Sequence, residues 1–155
     1  MNKTEVDELL DLLQQHELKI SALYETFASN LPSSRDAWLS LANEEKLHAK
    51  WINTLHAHLK NESISLEKTK FTCQSVRTAI AYIENTTASA AKNKPDLKKS
   101  LIIAINVEKS LLESQFFTVF ELSNLNAQNI RSRLEEATNS HVNKLLEWQR
   151  RVTRS

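Results

Sequence analysis

Apolar and polar positions recur along this chain with a helical period almost from end to end. Val6, Leu9, Leu10, Leu13, Ile20, Tyr24, Phe27 and Leu31 repeat at spacings of three, four and seven, which predicts an amphipathic helix from about Thr4 to Ser29. "NLPSSRD" interrupts it: Pro32 breaks the chain, and Ser33, Ser34 or Asp36 can cap the second helix. Trp38, Leu41, Ile52, Leu55 and Leu59 carry a second long stripe, from about Arg35 to Lys60. Residues 61–70, "NESISLEKTK", are polar and hold no strong stripe. A shorter helix from about Phe71 to Ala91 faces inward through Val76, Ala79, Ile80 and Ile83, and "KNKPD" ends it. The third long helix covers about Leu97 to Ser123 through Leu101, Ala104, Leu111, Leu112, Val119 and Leu122. After "NLNAQN" the fourth runs from about Ala127 to Val152 through Ile130, Leu134, Ala137, Leu145, Trp148 and Val152.

Four segments of roughly 25 residues, each about 38 Å long, therefore pair as two antiparallel hairpins with short links. The connection between the hairpins is long and carries its own helix. This is the plan of an all-α, ferritin-like up-down four-helix bundle with one long crossover. The halves also form a loose repeat of long helix, short turn, long helix. Composition agrees: the 155 residues contain no glycine and two prolines, whereas hairpin-rich β folds draw on glycine for their turns. The length suits a single helical-bundle domain over residues 1–155.

Polar residues disturb the apolar stripes of all four long helices. Glu45 and His48, three apart and so on one face, fall inside the stripe of the second helix rather than opposite it. Glu17 sits between Leu13, Ile20 and Tyr24; Glu108 between Ala104, Leu111 and Leu112; His141 between Leu134, Ala137, Leu145 and Trp148. Each long helix thus aims a carboxylate or imidazole at the core near its middle. Burying such groups without partners costs several kcal/mol, and a metal ion would neutralise the cluster. Mixed oxygen and imidazole donors suit iron or manganese, and zinc less specifically. Two-metal bundles use one Glu from each of two helices and Glu-x-x-His from each of the other two. Glu17 and Glu108 fill the single roles, and Glu45 with His48 fills the first pair. The second pair keeps His141, but Thr138 stands where its Glu belongs. Glu135 and Glu136 point roughly 120–140° away from His141. Three outcomes stay open: two metals with water or an anion replacing the carboxylate, one metal, or none. In the last case Glu17 or Glu108 would pair with His48 or His141 in a metal-free polar network, and the bundle would be a structural or interaction protein.

These segments resemble the rubrerythrin-like branch of the ferritin-like superfamily. "ELKISALYETFASNLP" is similar to that family's first helix, "LANEEKLHAKWI" to its second-helix signature, "AINVEKSLLESQFF" to the third helix, and "LEEATNSHVNKL" to the fourth with its carboxylate replaced by Thr138. The resemblance spans nearly the whole chain. It implies a non-haem di-iron carboxylate centre and an oxidoreductase acting on peroxide or O₂, or an iron-handling protein. Glu45 would then bridge, Glu17 and Glu108 would bridge or bind terminally, and His48 and His141 would supply terminal nitrogens. An external electron donor and a homodimer are implied partners. A rubredoxin-type module is excluded, since Cys73 is the one cysteine.

Other residues have readings of their own. Glu44, four before His48, is an alternative ligand nearer the stripe edge, so Glu45 is favoured. His56 fits a structural, hydrogen-bonded histidine, and His16 and His58 fit surface or flank positions. Tyr24 is either plain core or a hydrogen-bond partner of a ligand. Trp38, Trp51 and Trp148 are core or helix contacts, Cys73 is packed and inert, and Glu113 and Glu121 are solvated. The net charge of +1 leaves no basic excess for nucleic acid. Arg150, Arg151 and Arg154 suit a helix C-terminus instead. No apolar run approaches a membrane span, and the acidic, interrupted start "MNKTEVDELLDLLQQH" is not a signal peptide. A lone cysteine fits a reducing cytoplasm. Without glycine the chain carries no phosphate-cradling loop.

Overall fold

The computed structural model describes residues 3–59, 72–110 and 125–154. Among them are five α-helices, one 3₁₀ turn and no strand. The helices are α1 (Lys3–Asn30), α2 (Arg35–Leu59), α3 (Cys73–Asn93), α4 (Leu97–Lys109) and α5 (Leu125–Arg154). The described residues form an all-α helical bundle, and no described helix is long and apolar enough to cross a membrane. Leu111, Leu112, Glu113, Phe116, Phe117, Val119, Glu121 and Leu122, assigned from sequence to the third long helix and its flanks, lie outside the described residues.

Each boundary has a local cause. Pro32 starts the 3₁₀ turn Pro32–Ser34, which leads directly into α2. Leu31, the residue before this turn, stands half-buried just outside α1 and offers no side-chain cap, while Ser34 Oγ donates to the Leu31 carbonyl at 3.4 Å. Asp36, in the first turn of α2, complements the helix dipole instead. Thr72 and Ser75 close a reciprocal capping box at the start of α3. At the other end Lys94 adopts the left-handed conformation (φ 46°) normally given to glycine, and its N–H reaches the Ala90 carbonyl. That costs a non-glycine residue about 1 kcal/mol. Pro95 forbids continuation, and Asp96 caps α4 by accepting from the Lys99 N–H at 2.9 Å.

Side-chain pairs fix the directions. Asp7 meets His56, Ser21 Oγ donates to the Ala42 carbonyl, and Lys46 meets Glu25, so α1 and α2 run antiparallel. Glu8 pairs with Arg77, Lys19 with Glu84, and Asn30 Nδ2 donates to the Ala90 carbonyl, so α3 runs parallel to α1. Past the Lys94 turn α4 doubles back along α3, where Ile103 and Tyr82 line one hollow. Trp38 packs near Trp148 and Glu45 meets His141, so α5 is antiparallel to α2.

The core is split. One apolar cluster holds Val6, Leu9, Leu10 and Leu13 of α1, Ile52, Leu55 and Leu59 of α2, Val76 and Ile80 of α3, and Leu134 of α5. The other holds Ile20, Tyr24 and Phe27 of α1, Trp38 and Leu41 of α2, Ile83 of α3, Leu101 and Ala104 of α4, and Leu145. Burial of each such large side chain is worth about 1.5–3 kcal/mol. On α1, α2 and α5 the two clusters are separated along the chain by the segments that carry Glu17, Glu45 with His48, and His141.

Candidate metal centre

Between the two apolar clusters lies a polar layer that is almost as dry as they are. Glu17, Glu45, His48, Glu108 and His141 are all buried, Glu45 completely. Glu45, His48 and His141 each offer one donor atom within 4.8 Å of the others, an arrangement that could hold a metal ion. His141 Nδ1 lies 2.7 Å from Glu45 Oε1 and 3.2 Å from Glu108 Oε1. His48 Nδ1 lies 3.4 Å from Glu45 Oε2 and 4.0 Å from Glu17 Oε2. The two imidazole rings stand edge to face with centroids 5.9 Å apart. Glu17 and Glu108 are thus brought against the histidines but lie outside the tight three-residue group.

Neither Glu45 oxygen and neither His141 ring nitrogen has a partner in hydrogen-bond alignment, despite the 2.7 Å approach. Buried polar groups in folded proteins are nearly always satisfied. Donor atoms that converge without a hydrogen on the line between them have the geometry of ligands arranged around a common centre. Burial pushes the Glu45 carboxyl up, but its contacts with Glu17, His141, His48 and Glu108 outweigh burial and hold it well below the usual carboxylate range.

Surrounding residues hold the layer in place. Tyr24, fully buried, donates its hydroxyl to Glu108 Oε1 at 2.7 Å, and its ring meets His141 edge-on at 6.0 Å. Both readings of Tyr24, as core and as partner of a ligand-type carboxylate, describe it. Its ring also packs on Trp38, which packs on Phe27 and Trp148. Glu44 is about one-third exposed and bonded to Lys144, while Glu45 is fully buried. Thr138 is buried one turn before His141, whereas Ala137, expected inward, is half-buried. Glu136 is exposed and Glu135 half-buried.

His56 lies 2.8 Å from Asp7 and 3.5 Å from Asp11, a structural pairing. His58 is half-buried on the flank, and Cys73 is half-buried, with burial and then the Glu5 charge pushing its thiol up. His16 corrects the sequence reading: it is buried, not at the surface. The signal was a second stripe on the same helix, Leu9, Leu12, His16, Ile20, Leu23 and Phe27, all buried because α1 packs against α3 as well as α2.

No protein-family model, curated protein or solved structure matches this chain.

Proposed function

We propose that this chain is a rubrerythrin-like, ferritin-like metal protein whose buried polar layer binds iron. The observation that carries the reading is the unsatisfied convergence of Glu45 and His141, with His48 beside them, in an otherwise apolar interior. Helix directions support it: α1 and α5 run one way, α2 and α4 the other, as a long crossover between two hairpins requires. The carboxylate and imidazole donors fit iron or manganese, with zinc less specific. In this reading Glu45, His48 and His141 are the core ligands, and Glu17 and Glu108 extend the set.

An iron or manganese ion with an open position would supply redox chemistry toward peroxide or O₂. The chain's own contribution is to orient and to insulate. Tyr24 fixes the Glu108 carboxylate, and the two apolar clusters exclude water from above and below. Thr138 offers no carboxylate to the metal, so an external ligand would have to complete its coordination. An electron donor and a second copy of the chain belong to the proposal as partners.

Metal analysis tests it. Protein purified without chelator and loaded anaerobically with Fe(II) is expected to retain about one to two ions per chain; less than about 0.2 would sink the reading. The 2.7 Å contact between His141 and Glu45 favours a second reading, a metal-free bundle in which the pair only stabilises the core. That reading expects His141→Ala to change stability equally with and without added iron.

A further inference from the structure

Tyr24, Trp38 and Trp148 form a file of touching rings that starts at the polar layer. The Tyr24 ring meets His141 at 6.0 Å between centroids and Trp38 at 5.7 Å, and Trp38 meets Trp148 at 4.8 Å. Tyr24 and Trp38 are fully buried, while Trp148 is half-buried, so the file ends where solvent begins. Its members come from three different helices, α1, α2 and α5. Leucine or phenylalanine would fill the same core. Tyrosine and tryptophan add a ring that gives up one electron far more readily.

Their polar atoms differ in a way that matters for such a loss. Tyr24 donates its hydroxyl to Glu108 Oε1 at 2.7 Å, so an electron leaving the ring is matched by the phenolic proton moving along that bond. Trp38 Nε1 is buried with no acceptor among the described residues, although a buried indole N–H usually has one. An oxidised Trp38 therefore keeps its proton, stays strongly oxidising and passes the charge on. Tyr24 is a station that holds the charge, and Trp38 is one that only transmits it.

We propose that Trp148, Trp38 and Tyr24 relay single electrons from a small one-electron reductant outside the bundle to an oxidant, peroxide or O₂, at the buried layer. The inner end of the relay rests on the metal-centre reading; the file of rings does not. Each event moves one electron inward. Tyr24 gives an electron to the buried oxidant, and its phenolic proton passes to Glu108. Trp38 refills Tyr24, and the proton returns to the phenolic oxygen. Trp148 refills Trp38, and the external reductant, losing one electron, refills Trp148. The three rings end unchanged. Trp51 also meets the layer, at His48 across 5.8 Å, but stands outside the file.

Photo-oxidation of the full chain in chelator tests the file without any metal. Tyr82 is 59% exposed and is the one other tyrosine, so Tyr82→Phe leaves buried Tyr24 as the sole source of a tyrosyl radical. Flash-generated ruthenium(III) tris-bipyridine is too bulky to reach it directly. Transient absorption and electron spin resonance of the Tyr82→Phe chain are expected to show a tryptophanyl radical first and a tyrosyl radical after it. Adding Trp38→Phe or Trp148→Phe should abolish the tyrosyl signal, and adding Trp51→Phe should keep it. Circular dichroism checks that each variant folds; Trp148→Phe, at a half-buried position, carries the test where Trp38→Phe does not fold. No tyrosyl radical in the Tyr82→Phe chain overturns the relay. So does a tyrosyl signal that survives in folded Trp148→Phe, or one lost in Trp51→Phe. Failure of the unsubstituted chain to retain iron would overturn the metal centre instead, a different failure that leaves the radical readout as it is.

Discussion

On α2, residues 45 and 48 are Glu and His; on α5, residues 138 and 141 at the same spacing are Thr and His. All four side chains are buried. The backbone therefore treats the two pairs alike, and the difference is one of charge. A helical threonine can satisfy its hydroxyl on its own preceding turn and makes no demand for a cation. A buried glutamate cannot, and Glu45 lies within ion-pair distance of both histidines. His141 is accordingly held by the α2 pair rather than by a partner on its own helix: its shortest polar contact is Glu45, across the bundle.

Loss of His141 upsets this balance most severely. His141→Ala removes the group that meets Glu45, Glu108 and Glu44. It is expected to abolish iron retention and to destabilise the metal-free chain by about 3–5 kcal/mol, since it strands buried carboxylates; metal analysis and urea titration read the two effects separately. Thr138→Glu makes the two pairs identical. If the unsubstituted chain retains about one ion, it is expected to raise retained iron to about two ions per chain while costing the metal-free form about 1–3 kcal/mol. Added iron should reverse that loss, and a fixed metal content would show that geometry rather than charge limits the site. Tyr24→Phe removes the hydroxyl that holds Glu108. A loss of about 1.5–3 kcal/mol is expected, with metal content kept; a drop in metal content would make Glu108 a principal ligand. The smallest effect belongs to His56→Ala, two turns beyond His48 on α2. Its partner Asp7 is only half-buried, so melting should report no more than about 1 kcal/mol and metal content should not move.

Much of this layout was legible in the residues. The helical period placed α1 within a residue at each end, and Pro32 and Pro95 marked two breaks for steric reasons that hold in any context. The same period put Glu17, Glu45, His48, Glu108 and His141 on inward faces. Where it erred, a packing neighbour was the cause. His16 looked like a flank residue because one stripe on α1 implies one partner, and α3 supplies a second. Ala137 was placed inward by projection, yet Thr138 is the residue that the packing of α5 buries.

Periodicity is an angular signal: it says which way a side chain leaves its helix, not what it meets. The residue pattern alone required that four helices turn polar groups inward and that α5 do so with His141 and no carboxylate three residues before it. Docking of the helices decided the rest: that Tyr24 would reach Glu108 across 84 residues of chain, that Glu45 would be shared between two histidines, and that Glu44 would join His141 to Lys144. Those pairings depend on the height and rotation at which rigid helices meet. Apolar packing above and below sets both, and the polar residues themselves do not encode them.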